Sequence, residues 1–292
     1  MRIFVTGGSG YIGRSVIAEL RRRGHHVAAL ARSDTAATTV RKLGAEAVFG
    51  ALDSLDVIEL AAREHDATVM IAGMTSPESV EQESRMIDVL ARVAPNDHTV
   101  VYTSGVWVYG DRGDAVVDED APLKPIDIVA WRPGHEERVL ALGARGIRAV
   151  VIRPAVVYGD GGGIIGWIVA GANPGPVRVV GDGINRWATV RVDALAELYV
   201  AAVEQSAARG IYNAVNGAAV PYIEIARAAS RAGGGNGSIE HLTYENAGTA
   251  LGPMAEAFAM DLQVSAEKAR RELGWNPHRP TVLEELANTV VP

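Results

Sequence analysis

The segment VTGGSGYIG (5–13) narrows the choice of fold more than any other part of the chain. It follows an apolar run, RIFVT (2–6), and leads into YIGRSVIAELRRRG (11–24), whose apolar spacing is helical and which closes on Gly24. Strand, glycine-rich turn and helix in that order put Gly7, Gly10 and Gly13 where the chain turns tightly and backbone can approach a pyrophosphate. The free N–H groups of the helix start would face that anion, with Tyr11 and Ile12 in the same turn. The alternative is a turn that only packs helix on sheet. A second apolar run, HVAAL (26–30), stands at the distance that a dinucleotide-binding unit requires.

The runs AEAVFG (45–50), ATVMIAG (67–73) and HTVVYTS (98–104) follow, each preceded by a helical segment, and IRAVVIRP (147–154) comes later. Continuous apolar strands alternating with helices predict an α/β fold, a Rossmann-type doubly wound parallel sheet covered on both faces. After Gly159 the chain is rich in Gly and Pro. Short strands are expected at 177–181 and 186–192, and helices near 193–206, 221–232, 265–273 and 282–290. The expected organisation is a nucleotide-binding domain over 1–160, to which 182–218 returns. A smaller, discontinuous C-terminal substrate region takes 161–181 and 219–292.

The net charge of -7, with both signs evenly mixed, argues against nucleic acid or an anionic membrane as a partner. No apolar run approaches membrane-spanning length. Met1 leads straight into a strand without the pattern of a signal peptide, and cysteine is absent. These features predict a cytoplasmic protein without disulfides, thiolate metal sites or a cysteine nucleophile. Abundant Ala, Arg, Gly and Val fit a GC-rich bacterial source. No His/Asp/Glu spacing predicts a metal site.

The residue ending the second strand sets the ribose preference. An acidic side chain there holds a 2′-hydroxyl, and Arg favours a 2′-phosphate. The sequence reads AALARSD, with Arg32 and Ser33 ahead of Asp34. Arg can fork onto a phosphate and stack on adenine, so NADP(H) is expected in preference to NAD(H). The other reading leaves Arg32 solvated and Asp34 on the ribose. Ala72 and Gly73, at the end of the fourth run, complete the expected cofactor contacts.

At this point the chain resembles the extended short-chain dehydrogenase/reductase family, the NAD(P)-dependent sugar epimerases and dehydratases. TGGSGYIG resembles the family's TGxxGxxG, and VVYTSGVWVYG (100–110) its YTSSxxVYG. EDAPLKP (119–125), VIRPAVVYGDG (151–161), GDGINRWATVRVDALAELYVAAVE (181–204) and SAEKARRELGWNP (265–277) are similar to further family segments, in order and spacing. The resemblance implies a Ser/Thr–Tyr–Lys site, in which Tyr exchanges the proton and Lys lowers its pKa and holds the nicotinamide ribose. It also implies that dimers are common. This chain departs at all three positions: Gly105 replaces Ser/Thr, Trp131 replaces Tyr and His135 replaces Lys. The family's His and Asp in its HVdDlA stretch become Arg191 and Ala194.

Trp offers one indole N–H, a donor that does not release its proton near neutral pH. His135 can do acid–base work. The two share a helical face, four residues apart. Pro133 between them belongs in a first helical turn, so the helix is expected to start near Arg132, with Trp131 at its cap. Lys124 reads as a solvated loop residue or as a replacement for the missing positive charge. Tyr109 and Tyr158 end strand-to-loop motifs at the carboxyl edge of the sheet, where each either supplies a phenol proton or packs its turn. Trp107, Trp131, Trp167 and Trp187 suggest a pocket for a flat or apolar small molecule. Arg186 and Arg191 flank Trp187 and either hold an anion or form surface ion pairs. His25, His26 and His98 flank the opposite edge and are given no role.

Three functions fit: an oxidoreductase with a non-standard proton route, a non-redox lyase, isomerase or cyclase, and a silent NADP(H)-binding regulator.

Overall fold

Buried on both faces, the apolar runs of the first half can only pair with one another. In the computed structural model, which describes residues 1–72, 76–172 and 175–289, they form the centre of a parallel sheet. The elements run β1 (Arg2–Thr6), α1 (Tyr11–Arg22), β2 (His26–Ala31), α2 (Asp34–Lys42), β3 (Glu46–Phe49), α3 (Leu55–Glu64), β4 (Ala67–Met70), α4 (Pro77–Val93) and β5 (Thr99–Thr103). They continue with β6 (Val116–Val117), α5 (Arg132–Ala141), β7 (Arg148–Pro154), β8 (Val156–Tyr158), α6 (Gly163–Gly171), β9 (Val177–Val180), β10 (Arg186–Trp187), β11 (Thr189–Arg191), α7 (Val192–Glu204) and β12 (Gly210–Ala214). The chain ends with β13 (Val220–Pro221), α8 (Tyr222–Ala232), β14 (Ile239–Leu242), α9 (Tyr244–Leu251), α10 (Ala255–Ala259), β15 (Gln263–Val264), α11 (Glu267–Leu273) and α12 (Val282–Asn288).

The seven-stranded sheet has the order β12-β7-β5-β4-β1-β2-β3, with every pair parallel. Chain order reverses on either side of β1. The crevice at the carboxyl ends of β1 and β4 is therefore the switch point at which ligands of such sheets bind. Val5 pairs with Ala29 on one side and Val69 on the other, which fixes the glycine-rich turn above that crevice.

One large core joins β1, α1 and α7, through Val16, Ile17, Leu195 and Leu198 among others. A second cluster lies beyond the sheet. It unites Tyr158, Ile165 and Ile168 with Trp187, Tyr222, Phe258 and Leu286, around the parallel pair β9–β14. Trp107 packs against both clusters. Near the C-terminus, Trp275 Nε1 donates to the Ala194 carbonyl at 2.8 Å and ties the last segments back to α7. Among the described residues no helix is long and apolar enough to cross a membrane.

Several elements depart from the sequence expectation. GIYNA forms β12 and adds the edge strand beside β7, although Gly210 and Asn213 disguise it. Asn213 is tolerated there because its backbone N–H and both side-chain polar atoms are bonded. The glycine-rich stretch 163–171 forms α6, and IEHL forms β14 against β9.

Under the sheet, His98 is buried. Its Nδ1 donates to the His65 carbonyl at 3.0 Å, so the neutral ring accepts at Nε2 from Thr68 Oγ1 at 2.9 Å. Burial, the main cause, pushes its pKa down from 6.5 to about 4. Between those values the unfolded chain binds a proton that the folded chain refuses. This contribution to stability is therefore complete above pH 6.5 and is lost as pH falls towards 4. Urea unfolding between about pH 7 and about pH 5 should show a loss on the order of 2 kcal/mol that His98→Asn lacks. Equal losses in both proteins would remove His98 as the cause.

Candidate active site

Gly10 is the N-cap of α1, with extended backbone and no side chain to bond the first-turn N–H groups. Gly7 has a φ of 73°, and a Cβ there would press on the backbone of Ala72. A Cβ on Gly13 would collide with the Gly7 carbonyl. These glycines thus let the turn close on β4 and leave a cradle of free donors fit for a pyrophosphate. A groove of about 530 Å³ runs from this turn, lined by Gly7, Gly10, Tyr11, Ile12, Gly13, Arg32 and Ala72. Ala51, Leu52, Ser79 and Gln82, which sequence reasoning did not select, line it too. Their only signal was position at the carboxyl edge of the sheet.

Arg32 is exposed at the groove's far end and makes no side-chain bond among the described residues. Ser33 does not line the groove. Its Oγ caps α2 by accepting from Ala36 N–H at 3.2 Å, which leaves its hydroxyl proton available. Gly73 lies outside the described residues. Tyr11 reaches away from the turn, donating to the Gly159 carbonyl at 2.7 Å.

The α5 helix begins at Arg132, with Trp131 as N-cap and Pro133 in the first turn, where its missing N–H costs nothing. Successive helical side chains diverge by about 100°, so His135 and Glu136 reach different neighbours. His135 Nδ1 lies 2.9 Å from Glu83 Oε1 on α4, and Tyr102 on β5 donates to the same oxygen at 2.6 Å. Glu136 receives a two-pronged bond from Arg153 on β7, at 3.0 and 2.5 Å. Arg153 is 1% exposed. Burial opposes its charge, but Glu136 and Tyr109 outweigh that and raise its pKa. Arg132 donates to the Thr103 carbonyl at 2.8 Å, and Thr103 Oγ1 bonds Tyr199 of α7 at 2.5 Å. Trp131 packs edge-on to His135, with ring centroids 4.9 Å apart.

Two polar atoms here are buried without a partner, Ser104 Oγ and Trp131 Nε1. They flank the Arg132–Thr103 bond in sequence, one residue from each end. Ser104 immediately precedes Gly105, so a hydroxyl is present next to the position that lacks one.

Other candidates are committed elsewhere. Tyr109 is fully buried; its hydroxyl accepts from Arg153 at 2.7 Å and donates to Asn213 Oδ1 at 2.8 Å. Burial raises its pKa and keeps the phenol protonated. Tyr158 donates to the Pro280 carbonyl at 2.5 Å and accepts from Asn216 at 3.2 Å, inside the second core. Trp187 is core as well, stacked on Tyr222 at 4.3 Å. Arg186 is engaged by Asp261 and Asp114, and Arg191 by Asp160, Asp193 and Glu285. Trp167 is exposed and meets Phe258 edge-on, on α6 and away from α5. Lys124 is exposed. Among the described residues no cluster could hold a metal ion.

A doubly wound parallel sheet with this glycine-rich groove at its switch point defines a dinucleotide-binding fold. A sequence model of the NAD dependent epimerase/dehydratase family matches residues 3–216, and the chain belongs to that family as an NAD(P)-dependent enzyme. It is 28% identical over 297 residues to an uncharacterized protein of Schizosaccharomyces pombe, with 99% of each chain covered. It is 28% identical to the 4-hydroxy-2-methyl-3-oxo-4-farnesyl-3,4-dihydroquinoline-1-oxide ketoreductase of Stigmatella aurantiaca, covering 94% of this chain and 92% of that one. In fold it is similar to the UDP-glucose 4-epimerase of Thermus thermophilus in complex with NAD, with a TM-score of 0.79 at 22% identity over 99% and 100% of the two chains.

Because Arg153 and Glu136 are both buried, removing either strands the other's charge. Arg153→Met and Glu136→Leu should each cost about 3–5 kcal/mol in urea unfolding. The double variant Glu136→Leu/Arg153→Met should recover much of that loss. A double variant as unstable as the sum of the singles would show that the pair is not coupled.

Proposed function

We propose that this protein is an NADP(H)-preferring oxidoreductase that reduces a carbonyl on a small aromatic or apolar substrate, with the proton routed through His135. The observation that carries the reading is the pair of orphaned donors, Ser104 Oγ and Trp131 Nε1, the second on a ring packed edge-on to that imidazole. A buried donor without an acceptor costs about 1–3 kcal/mol, and a substrate oxygen would satisfy both. Bound NADPH would supply the hydride. The free N–H groups at the start of α1 hold the pyrophosphate, and Arg32 forks onto the 2′-phosphate with the Ser33 hydroxyl beside it.

Ser104 and Trp131 orient the substrate oxygen, and Trp131 with Trp107 walls the site. His135 delivers the proton to that oxygen as negative charge develops on it. On this reading 161–181 and 219–292 form the substrate-binding part, with Trp167 on its outer side. Arg186 and Arg191 are already neutralised by carboxylates, which favours a substrate without phosphate. The ketoreductase relative, named for a farnesylated dihydroquinoline, is in keeping with an apolar aromatic substrate.

NADPH oxidation, followed by its fluorescence, across small aromatic ketones and quinones tests the reading. His135→Ala should lower kcat on the substrate found by about 100-fold or more. Conversion of substrate with no net change in NADPH would instead indicate a lyase or isomerase. In direct binding, Arg32→Ala should weaken NADPH about 10- to 100-fold and leave NADH nearly unchanged. Equal effects on the two cofactors would overturn the 2′-phosphate assignment.

A further inference from the structure

Nothing in the glycine-rich motif or in the replaced Tyr and Lys positions points to α4, yet α4 supplies the closest polar partner of His135. Glu83 is 2% exposed and His135 is 7% exposed. A carboxylate so deeply buried on a helix with exposed glutamates on its outer face calls for a reason. Its Oε1 receives the Tyr102 hydroxyl at 2.6 Å and lies 2.9 Å from His135 Nδ1.

We propose that Glu83 is a positioning residue that fixes the His135 imidazole as its Nδ1–H tautomer and leaves Nε2 as the nitrogen that exchanges the proton. Tyr102 can only donate to the carboxylate, and burial together with Glu83 keeps its phenol protonated. The same oxygen therefore remains an acceptor towards Nδ1. Among the described residues no other charged group competes for that nitrogen. Arg132 is held by the Thr103 carbonyl, and Glu136 is held by Arg153. Trp131 lies edge-on against the ring and restricts its rotation. Nε2 has no hydrogen-bond partner among the described residues. A carboxylate behind one ring nitrogen sets both the tautomer and the direction in which the other works. When Nε2 delivers its proton to a substrate oxygen, the ring passes from imidazolium to the neutral Nδ1–H form without reorienting.

This inference rests on the reading of His135 as the proton-exchanging group, but its first test needs no substrate. Nitrogen-15 NMR of histidine-labelled protein, in the neutral form of the ring, should give a pyrrole-type Nδ1 and a pyridine-type Nε2 for His135. Glu83→Leu should abolish that preference. His98, held by the His65 carbonyl, should keep its own Nδ1–H tautomer and report that the fold is intact. A pyridine-type Nδ1 in the wild-type protein overturns the proposal even if Glu83→Leu does not fold. An unchanged His135 tautomer in folded Glu83→Leu overturns it as well. Once a substrate is known, Glu83→Leu should lower kcat about tenfold or more with KM within about twofold. An unchanged kcat would overturn the functional half of the proposal. A failed substrate screen with the expected tautomers would count against the reductase reading alone.

Discussion

The buried fork between Arg153 and Glu136 is the interaction on which the rest of the site depends. Two full charges taken out of water are favourable only if every donor and acceptor around them is used. Here they are used in sequence. Arg153 bonds both oxygens of Glu136 and the Tyr109 hydroxyl, and Tyr109 donates to Asn213 Oδ1 on the edge strand β12. One chain of bonds thus couples α5, β7, the turn after β5 and β12. Displacing α5 would strand a guanidinium in the core, so the helix has one permitted position. His135, one residue earlier, inherits that precision without contributing to its cost.

The replacement of a Tyr–Lys pair reads differently once this joint is in view. A lysine has a long flexible stem, and the histidine at the same position is short and planar. Its imidazole turns to the carboxylate on α4, where Glu83 and Tyr102 wait inside the protein. Trp131, at the helix cap, brings an N–H donor but no titratable proton. In the proposed function, orientation of the substrate oxygen falls to Trp131 with Ser104 and exchange of its proton to His135, two tasks that a tyrosine hydroxyl would combine.

How much of this was legible in the sequence depends on the range of the interaction. The glycine turn was legible because strand, turn and helix are contiguous and each glycine answers a local steric demand. The start of α5 at Arg132 was legible for the same reason, through Pro133. Strand β12 was not, because GIYNA becomes a strand only when β7 offers its free edge and Glu119 meets the Asn213 N–H. Tyr158 and Trp187 sit on motifs near the sheet's carboxyl edge, but their side chains turn into the second core, a direction that position in the sequence does not give. Glu83 and Glu136 look like ordinary helix-surface charges until their partners, 52 and 17 residues away, are brought to them. Arg153 left the one readable trace, a charge inside the apolar run AVVIRP.

The distribution of free and committed arginines adds the last constraint. Arg32 ends the groove exposed and unpaired among the described residues, so a phosphate arriving there gains a charge-assisted bond without breaking another. Arg186 and Arg191 present the opposite case. Each is surrounded by two or three carboxylates, and a phosphate approaching them must displace those partners and face their repulsion. An anion is therefore favoured at the glycine-rich end of the groove and disfavoured around Trp187.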